Sequence, residues 1–237
     1  MSTFTDGLVS GSISRITDYD RKRRKHPTVE GRTMPELEDL AIGESRAFHL
    51  AVFSIDIRGF TDLSMKLDNP KINELARIQA LYLSEMSAII RDYSGVTEKY
   101  TGDGVMGLFG TESDTRAETD VKNALEAALT ANLAIKRALN PYLESKNLPR
   151  IVCGIGVDHG PVLVERVGLK GGNQFSLAGP TVSLASKIQD HAPEGCVFIG
   201  NDAYKRAPKD FQAYCVPTTL DWKFKYPVYH FRCEWQE

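Results

Sequence analysis

Two aspartates stand where their neighbours require burial, and they constrain this chain more than any other feature. Leu50 to Ile57 is an apolar, β-rich run that carries Asp56 near its end, just before Arg58-Gly59-Phe60-Thr61. Val96 to Tyr100 and Val105 to Phe109 read as two strands around the tight turn Thr101-Gly102-Asp103-Gly104. A buried carboxylate is costly unless it is paired or bound to a metal. Two of them on adjacent strands are natural oxygen ligands for hard divalent cations. The glycines beside them let backbone approach a phosphate closely. A helix entered through Arg58 to Thr61 turns free N–H groups toward an anion. Singly, each has a plainer reading, Asp103 as a hairpin-turn residue and Asp56 as a helix cap; together they point to a site.

The rest of the pattern supplies a frame. Leu75, Ile78, Tyr82, Met86, Ile89 and Tyr93 recur at three- and four-residue spacing, which predicts a helix from Ile72 to Tyr93 ended by Gly95. A second helix is expected over about Thr115 to Leu139, with Val121, Leu125, Ala128 and Ile135 inward and Pro141 marking its end. Ile151 to Val157 and Val162 to Val167 read as strands joined by a turn at Asp158-His159-Gly160-Pro161. His159 in such a turn is read as structural. Lys170-Gly171-Gly172-Asn173 has the look of a hairpin tip. A helix from Thr181 to Asp190 comes next, then short strands near Val197, Phe211 and Val228. Paired helices on a mainly antiparallel sheet give an α+β layer architecture.

Residues 1–47 differ from the remainder of the chain and read as an N-terminal arm, docking on its own domain or contacting a second subunit, with residues 48–237 as the main domain. The basic run Arg21-Lys22-Arg23-Arg24-Lys25 is offset by as many acidic as basic residues across the arm, so a solvated face is its expected role. Pro35 to Leu40 is a candidate short helix. At 42% hydrophobic and 25% charged residues the 237-residue chain is globular in composition. Its net charge of -2 provides no whole-chain field for nucleic acid or an anionic membrane. No apolar run approaches the ~20 residues of a membrane span, and the N-terminus lacks a secretory pattern. Cys153, Cys196, Cys215 and Cys233 form no CxxC pair and are expected to be reduced thiols of a cytoplasmic protein.

The ordered motifs resemble those of the class III nucleotidyl cyclases, over about His49 to Phe231. The Phe-x-Asp-Ile-x-Gly-Phe-Thr signature is present as Phe53 to Thr61, with Ser54 standing between Phe53 and Ile55, and Lys-x-x-Gly-Asp is present as Lys99 to Asp103. Gln174 to Lys187 is similar to the family's base-reading strand and the helix after it. The resemblance implies a ferredoxin-like core, an antiparallel sheet with helices packed on it, that forms a head-to-tail homodimer with sites at the subunit interface. It implies two Mn²⁺ or Mg²⁺ ions per site held by Asp56, Asp103 and the Ile57 carbonyl, in a two-metal displacement at the α-phosphorus. Amides of Arg58, Gly59, Phe60 and Thr61 would cradle phosphate, with Lys170 and either Lys223 or Lys225 as further cations.

Departures from the family bear on the substrate. Lys99 occupies the base-reading lysine position, but Ser176 stands in place of the aspartate that accepts from the adenine amine. The transition-state Asn and Arg align with Ser183 and Lys187, and a lysine lacks the bidentate guanidinium fork. Loss of one acceptor weakens adenine discrimination, and Tyr100 beside Lys99 adds bulk suited to a one-ring base. These features are similar to the Pycsar pyrimidine cyclases of bacterial antiphage defence, which implies UTP as substrate, since Lys99 can donate to uracil O4. CTP, ATP and a catalytically silent dimeric nucleotide sensor are the alternatives, in that order.

Overall fold

The computed structural model describes residues 6–25, 45–66, 72–110, 116–169, 172–222 and 225–233. Strand β1 (Ser45–Ile57) is the spine of the sheet. Its alternate side chains serve two cores, as the two-residue strand period dictates. Ala51, Phe53, Ile55 and Ile57 enter the larger core, while Leu50 and Val52 enter a smaller one on the other face. Helices α2 (Phe60–Lys66) and α3 (Ile72–Asp92) come after it, then the hairpin of β2 (Val96–Thr101) and β3 (Gly104–Phe109). Next are α4 (Ala117–Ala134), a π-helical turn (Ile135–Leu139) and α5 (Asn140–Ser145). Strands β4 (Cys153–Leu169) and β5 (Gly172–Ala178), helix α6 (Pro180–His191), β6 (Val197–Gly200), α7 (Asn201–Arg206), α8 (Lys209–Gln212), β7 (Cys215–Thr218) and β8 (Val228–Phe231) complete the order.

The strands run β2-β3-β1-β4-β6-β8-β7, with β5 also on β4. Every pairing is antiparallel except β4 with β6, so the α+β expectation holds with a mixed sheet. Helices α3 and α4 line the larger core, and Val182 and Ala185 of α6 close the smaller one. Contact between α6 and β4 is so close that a Cβ on Gly156 would lie 2.3 Å from the Ala185 carbonyl oxygen. Glycine is required there by space.

Three sequence expectations are corrected. Asp158 to Pro161 is no turn but the middle of β4, which pairs with β1 in unbroken register from Ser45↔Glu165 to Ile57↔Cys153. Pro161 is tolerated because β4 leaves β6 at Val157 and meets β5 only at Leu163, so on that edge it forfeits no ladder bond. Pro141 does not end the second helix, which runs on to Ser145. The π turn, closed by Asn140 N–H on the Ile135 carbonyl, places Pro141 in a first turn where a missing donor costs little. Phe211 is buried in α8, and the adjacent strand is Cys215–Thr218.

Helix α1 (Asp6–Lys25) packs on α3 and the π turn, and its Ile16 is fully buried in the larger core. Buried Asp20 accepts from Arg77 at 2.8 and 2.7 Å and from the Tyr142 hydroxyl at 2.7 Å, and Arg15 pairs with buried Glu85 at 3.0 Å. Within the basic run, Arg21 pairs with Asp18 on the surface. Pro35 to Leu40 lies outside the described residues. All four cysteines are thiols rather than disulfides, and among the described residues no helix is long and apolar enough to cross a membrane.

Candidate active site

Register brings the two aspartates together. Asp56 of β1 pairs with Gly104 of β3, so Asp103, at the tip of the β2–β3 hairpin, falls beside it. The half-buried Asp56 side chain lies beside Asp103 and close to the Ile57 amide. Its carboxyl is pushed up to about 7, first by burial and then by the charge of Asp103, against the pull of the Ile57 amide and Arg58. Asp56 Oδ1 is buried with no hydrogen-bond partner among the described residues. Burial and the neighbouring Asp103 charge favour a proton on Asp56, and one Asp56 oxygen is orphaned, so a hard divalent cation fits the pair: it replaces the proton and meets the oxygen. No cluster of three or more His, Cys, Asp or Glu side chains occurs among the described residues, so further ligands would be backbone, such as the Ile57 carbonyl, or substrate.

The floor of the pair is apolar and was not foreseen in the sequence. Tyr82 of α3 and Cys153 of β4 are fully buried against each other beneath both aspartates, and burial holds the hydroxyl and the thiol far above their ordinary titration. Neither supplies a charge. Gln79, one turn earlier on α3, donates from Nε2 to the Gly102 carbonyl at 2.7 Å in the turn that bears Asp103. The signal for both was their three-residue spacing on α3, which reads equally well as a core stripe.

The other predicted residues divide between the site and its surroundings. Arg58 is directed away from the phosphate role expected of it. Its amide is taken by the Val152 carbonyl at 2.8 Å, and its guanidinium donates to the carbonyls of Gln189 and Ala192 (2.7 Å to Ala192) at the C-terminal end of α6. A cation meeting the negative end of a helix dipole explains that choice. Gly59, at φ +67°, turns the chain into α2, where Phe60 packs on the core and Thr61 is exposed. Tyr100 also goes elsewhere. Its hydroxyl meets Ser87 of α3 at 2.9 Å, lining a groove of about 930 Å³ between α1, α3 and β2 that Asp56 and Asp103 do not enter. Lys99 lies on β2 opposite Met106. Ser176 is on β5 opposite Glu165, with Ser183 exposed in the first turn of α6 and Lys187 one turn later. Lys225 is exposed; Lys170 and Lys223 lie outside the described residues.

The chain is similar to known proteins in sequence and in fold. The adenylate and guanylate cyclase catalytic domain matches residues 44–219. A uridylate cyclase of Gulbenkiania mobilis is 33% identical over 164 residues, 67% of this chain and 62% of that protein. A cytidylate cyclase of Staphylococcus aureus is 31% identical over 166 residues, 67% of this chain and 38% of that protein. The chain thus spans less than two thirds of either relative. The crystal structure of the adenylyl cyclase CyaB from P. aeruginosa superposes with a TM-score of 0.69 at 25% identity, covering 79% of this chain and 95% of that one.

Proposed function

The chain belongs to the class III adenylate and guanylate cyclase family, and from that premise we propose that it is a pyrimidine nucleotidyl cyclase converting UTP to 3′,5′-cyclic UMP and pyrophosphate. The observation that carries the reading is the Asp56–Asp103 pair with its orphaned oxygen. In this reading Asp56, Asp103 and the Ile57 carbonyl hold two Mn²⁺ or Mg²⁺ ions. When bound, these activate the ribose 3′-hydroxyl and neutralise the triphosphate. The 3′-oxygen bonds to the α-phosphorus as the bond to the β-phosphate oxygen breaks, and the hydroxyl proton leaves to solvent. Gly59, Phe60 and Thr61 offer first-turn amides to phosphate. Lys99 donates to uracil O4, and Ser176 meets the same base edge without the carboxylate that an adenine amine would favour. Ser183 and Lys187 stabilise charge at the α-phosphate from the second subunit of a head-to-tail homodimer, with Lys170, Lys223 or Lys225 on the outer phosphates. Residues 48–237 form the catalytic domain and residues 1–47 its arm. By its likeness to pyrimidine cyclases, the product serves as a cytoplasmic second messenger in antiphage defence.

Two relatives of about 30% identity that are uridylate and cytidylate cyclases support the pyrimidine class. The altered Ser183 and Lys187 positions favour a second reading, a dimeric sensor that binds nucleotide without turning it over. Purified protein incubated with each of the four ribonucleoside triphosphates and Mn²⁺, with products identified by mass spectrometry, separates these. Cyclic UMP as main product is expected. Cyclic AMP alone would overturn the pyrimidine assignment, and nucleotide bound but unchanged would establish the sensor.

A further inference from the structure

The turn that carries Asp103 has one soft degree of freedom, and Gln79 sits on it. Thr101 pairs with Gly104, leaving Gly102 and Asp103 as the two central residues of the hairpin. Gly102 has φ +72°, whereas the only non-glycine residues at positive φ among those described are Ser94 and Asn147, so Asp103 is at negative φ. Positive then negative φ is the type II′ pattern. Rotating the peptide between the two residues gives the type I′ turn, which asks Asp103 to adopt positive φ, and aspartate tolerates that region. The flip is therefore cheap, and it would re-aim the Asp103 side chain. Strand pairing does not prevent it, because the Gly102 carbonyl takes no part in the ladder.

That carbonyl is the atom to which Gln79 donates, at 2.7 Å. The donor stands on a firm base. Two residues earlier, Arg77 is locked by two hydrogen bonds to buried Asp20, and three residues later Tyr82 is fully buried beneath the aspartates. We infer that Gln79 is a positioning residue that holds the Gly102–Asp103 peptide in its type II′ orientation and so keeps Asp103 aimed at Asp56 for cation binding. The inference rests on the carboxylate reading of the site and adds a residue that touches neither cation nor substrate.

The test is direct Mn²⁺ binding, read as free Mn²⁺ by electron paramagnetic resonance, with Mn²⁺ alone as the probe. Wild type, Gln79→Glu, Gln79→Ala and Asp103→Ala are compared, with thermal midpoints by circular dichroism as the fold control. Glutamate matches glutamine in shape but has no hydrogen to give. Loss of one such bond should weaken Mn²⁺ binding roughly 3- to 10-fold in both Gln79 variants, with midpoints near wild type, while Asp103→Ala abolishes it. Gln79 variants that bind as wild type while Asp103→Ala does not would overturn the role of Gln79 and leave the carboxylate pair standing. Wild-type binding by Asp103→Ala would overturn both.

Discussion

Asp56 and Asp158 are two carboxyls pushed to about the same point, near 7, with burial as the first cause in each. Their surroundings are opposite. Asp158 receives the amides of His159 at 2.9 Å and Ala203 at 3.3 Å, and the Tyr226 hydroxyl at 2.9 and 3.0 Å, so its oxygens are satisfied by the fold. Asp56 faces a second carboxylate and keeps one buried oxygen without a partner. The first arrangement ties β4 to α7 and to the segment before β8. The second is stabilised only by something brought from outside. A shifted titration therefore does not mark a site; a shifted carboxyl that the fold leaves unsatisfied does.

The largest expected effect breaks the comparison at once. Asp56→Asn should lower cyclase turnover by at least about 10²–10³-fold, the scale of losing a group that stabilises charge in the reacting complex. It should leave the thermal midpoint of the metal-free protein unchanged or raised, because a buried like-charge contact is relieved. Asp158→Asn should keep turnover within a few-fold. Steady-state rates beside melting curves read both. Loss of turnover in Asp158→Asn equal to that in Asp56→Asn would place the two aspartates in one site.

Next in size is the cost of emptying the Asp158 position. Asp158→Ala strands the Tyr226 hydroxyl and two buried amides, and at ~1–3 kcal/mol for each unpaired group the expected loss is about 4 kcal/mol in urea unfolding. Truncating Asp56 removes a side chain that the fold leaves largely unsatisfied at a half-open site, so its loss should be smaller.

The carboxylate pair was legible from sequence because Asp56 interrupts an apolar strand run and Asp103 sits in a glycine-flanked turn between two β-rich segments. Asp158 was not legible. Asp-His-Gly-Pro is strong local turn chemistry, and only the pairing of β4 with β1 over thirteen residues, a long-range term, overrides it. Arg58 failed for a related reason. Its place in the motif suggested phosphate, but the carbonyls at the end of α6 come from residues more than 130 positions away. Gln79 and Tyr82 carry no local mark that separates a core stripe from the floor of a site.

The pH dependence of stability sharpens the contrast. Asp158 binds its proton more tightly folded than unfolded, so its contribution is fully present below about pH 4 and is lost as pH rises toward 7. At ~1.4 kcal/mol per pH unit that loss has an upper bound of about 4 kcal/mol. Asn imitates the protonated acid, so the difference in unfolding free energy between Asp158→Asn and wild type should widen from pH 4 to 7 and then level off. Asp56 acts in the same direction, but Mn²⁺ displaces its proton. Adding Mn²⁺ should therefore change the pH dependence of the Asp56→Asn difference and leave that of Asp158→Asn untouched. A metal-sensitive Asp158 difference would mean that the two carboxyls are coupled.

The smallest effect isolates one partner of the satisfied carboxyl. Tyr226→Phe removes a hydroxyl that donates to Asp158 and accepts from the Asp202 amide at 3.0 Å, while the ring keeps its packing with Leu220 and Trp222 over Ile188 and Ala192. With two amides still on Asp158, the expected cost is about 1–2 kcal/mol in urea unfolding. The charged carboxylate loses one of its donors and the proton is held more firmly, so the pH window of the Asp158→Asn difference should move upward when measured in the Tyr226→Phe background. A window unmoved by loss of the hydroxyl would mean that the amides of His159 and Ala203 alone satisfy Asp158, and that Tyr226 fastens its segment by packing.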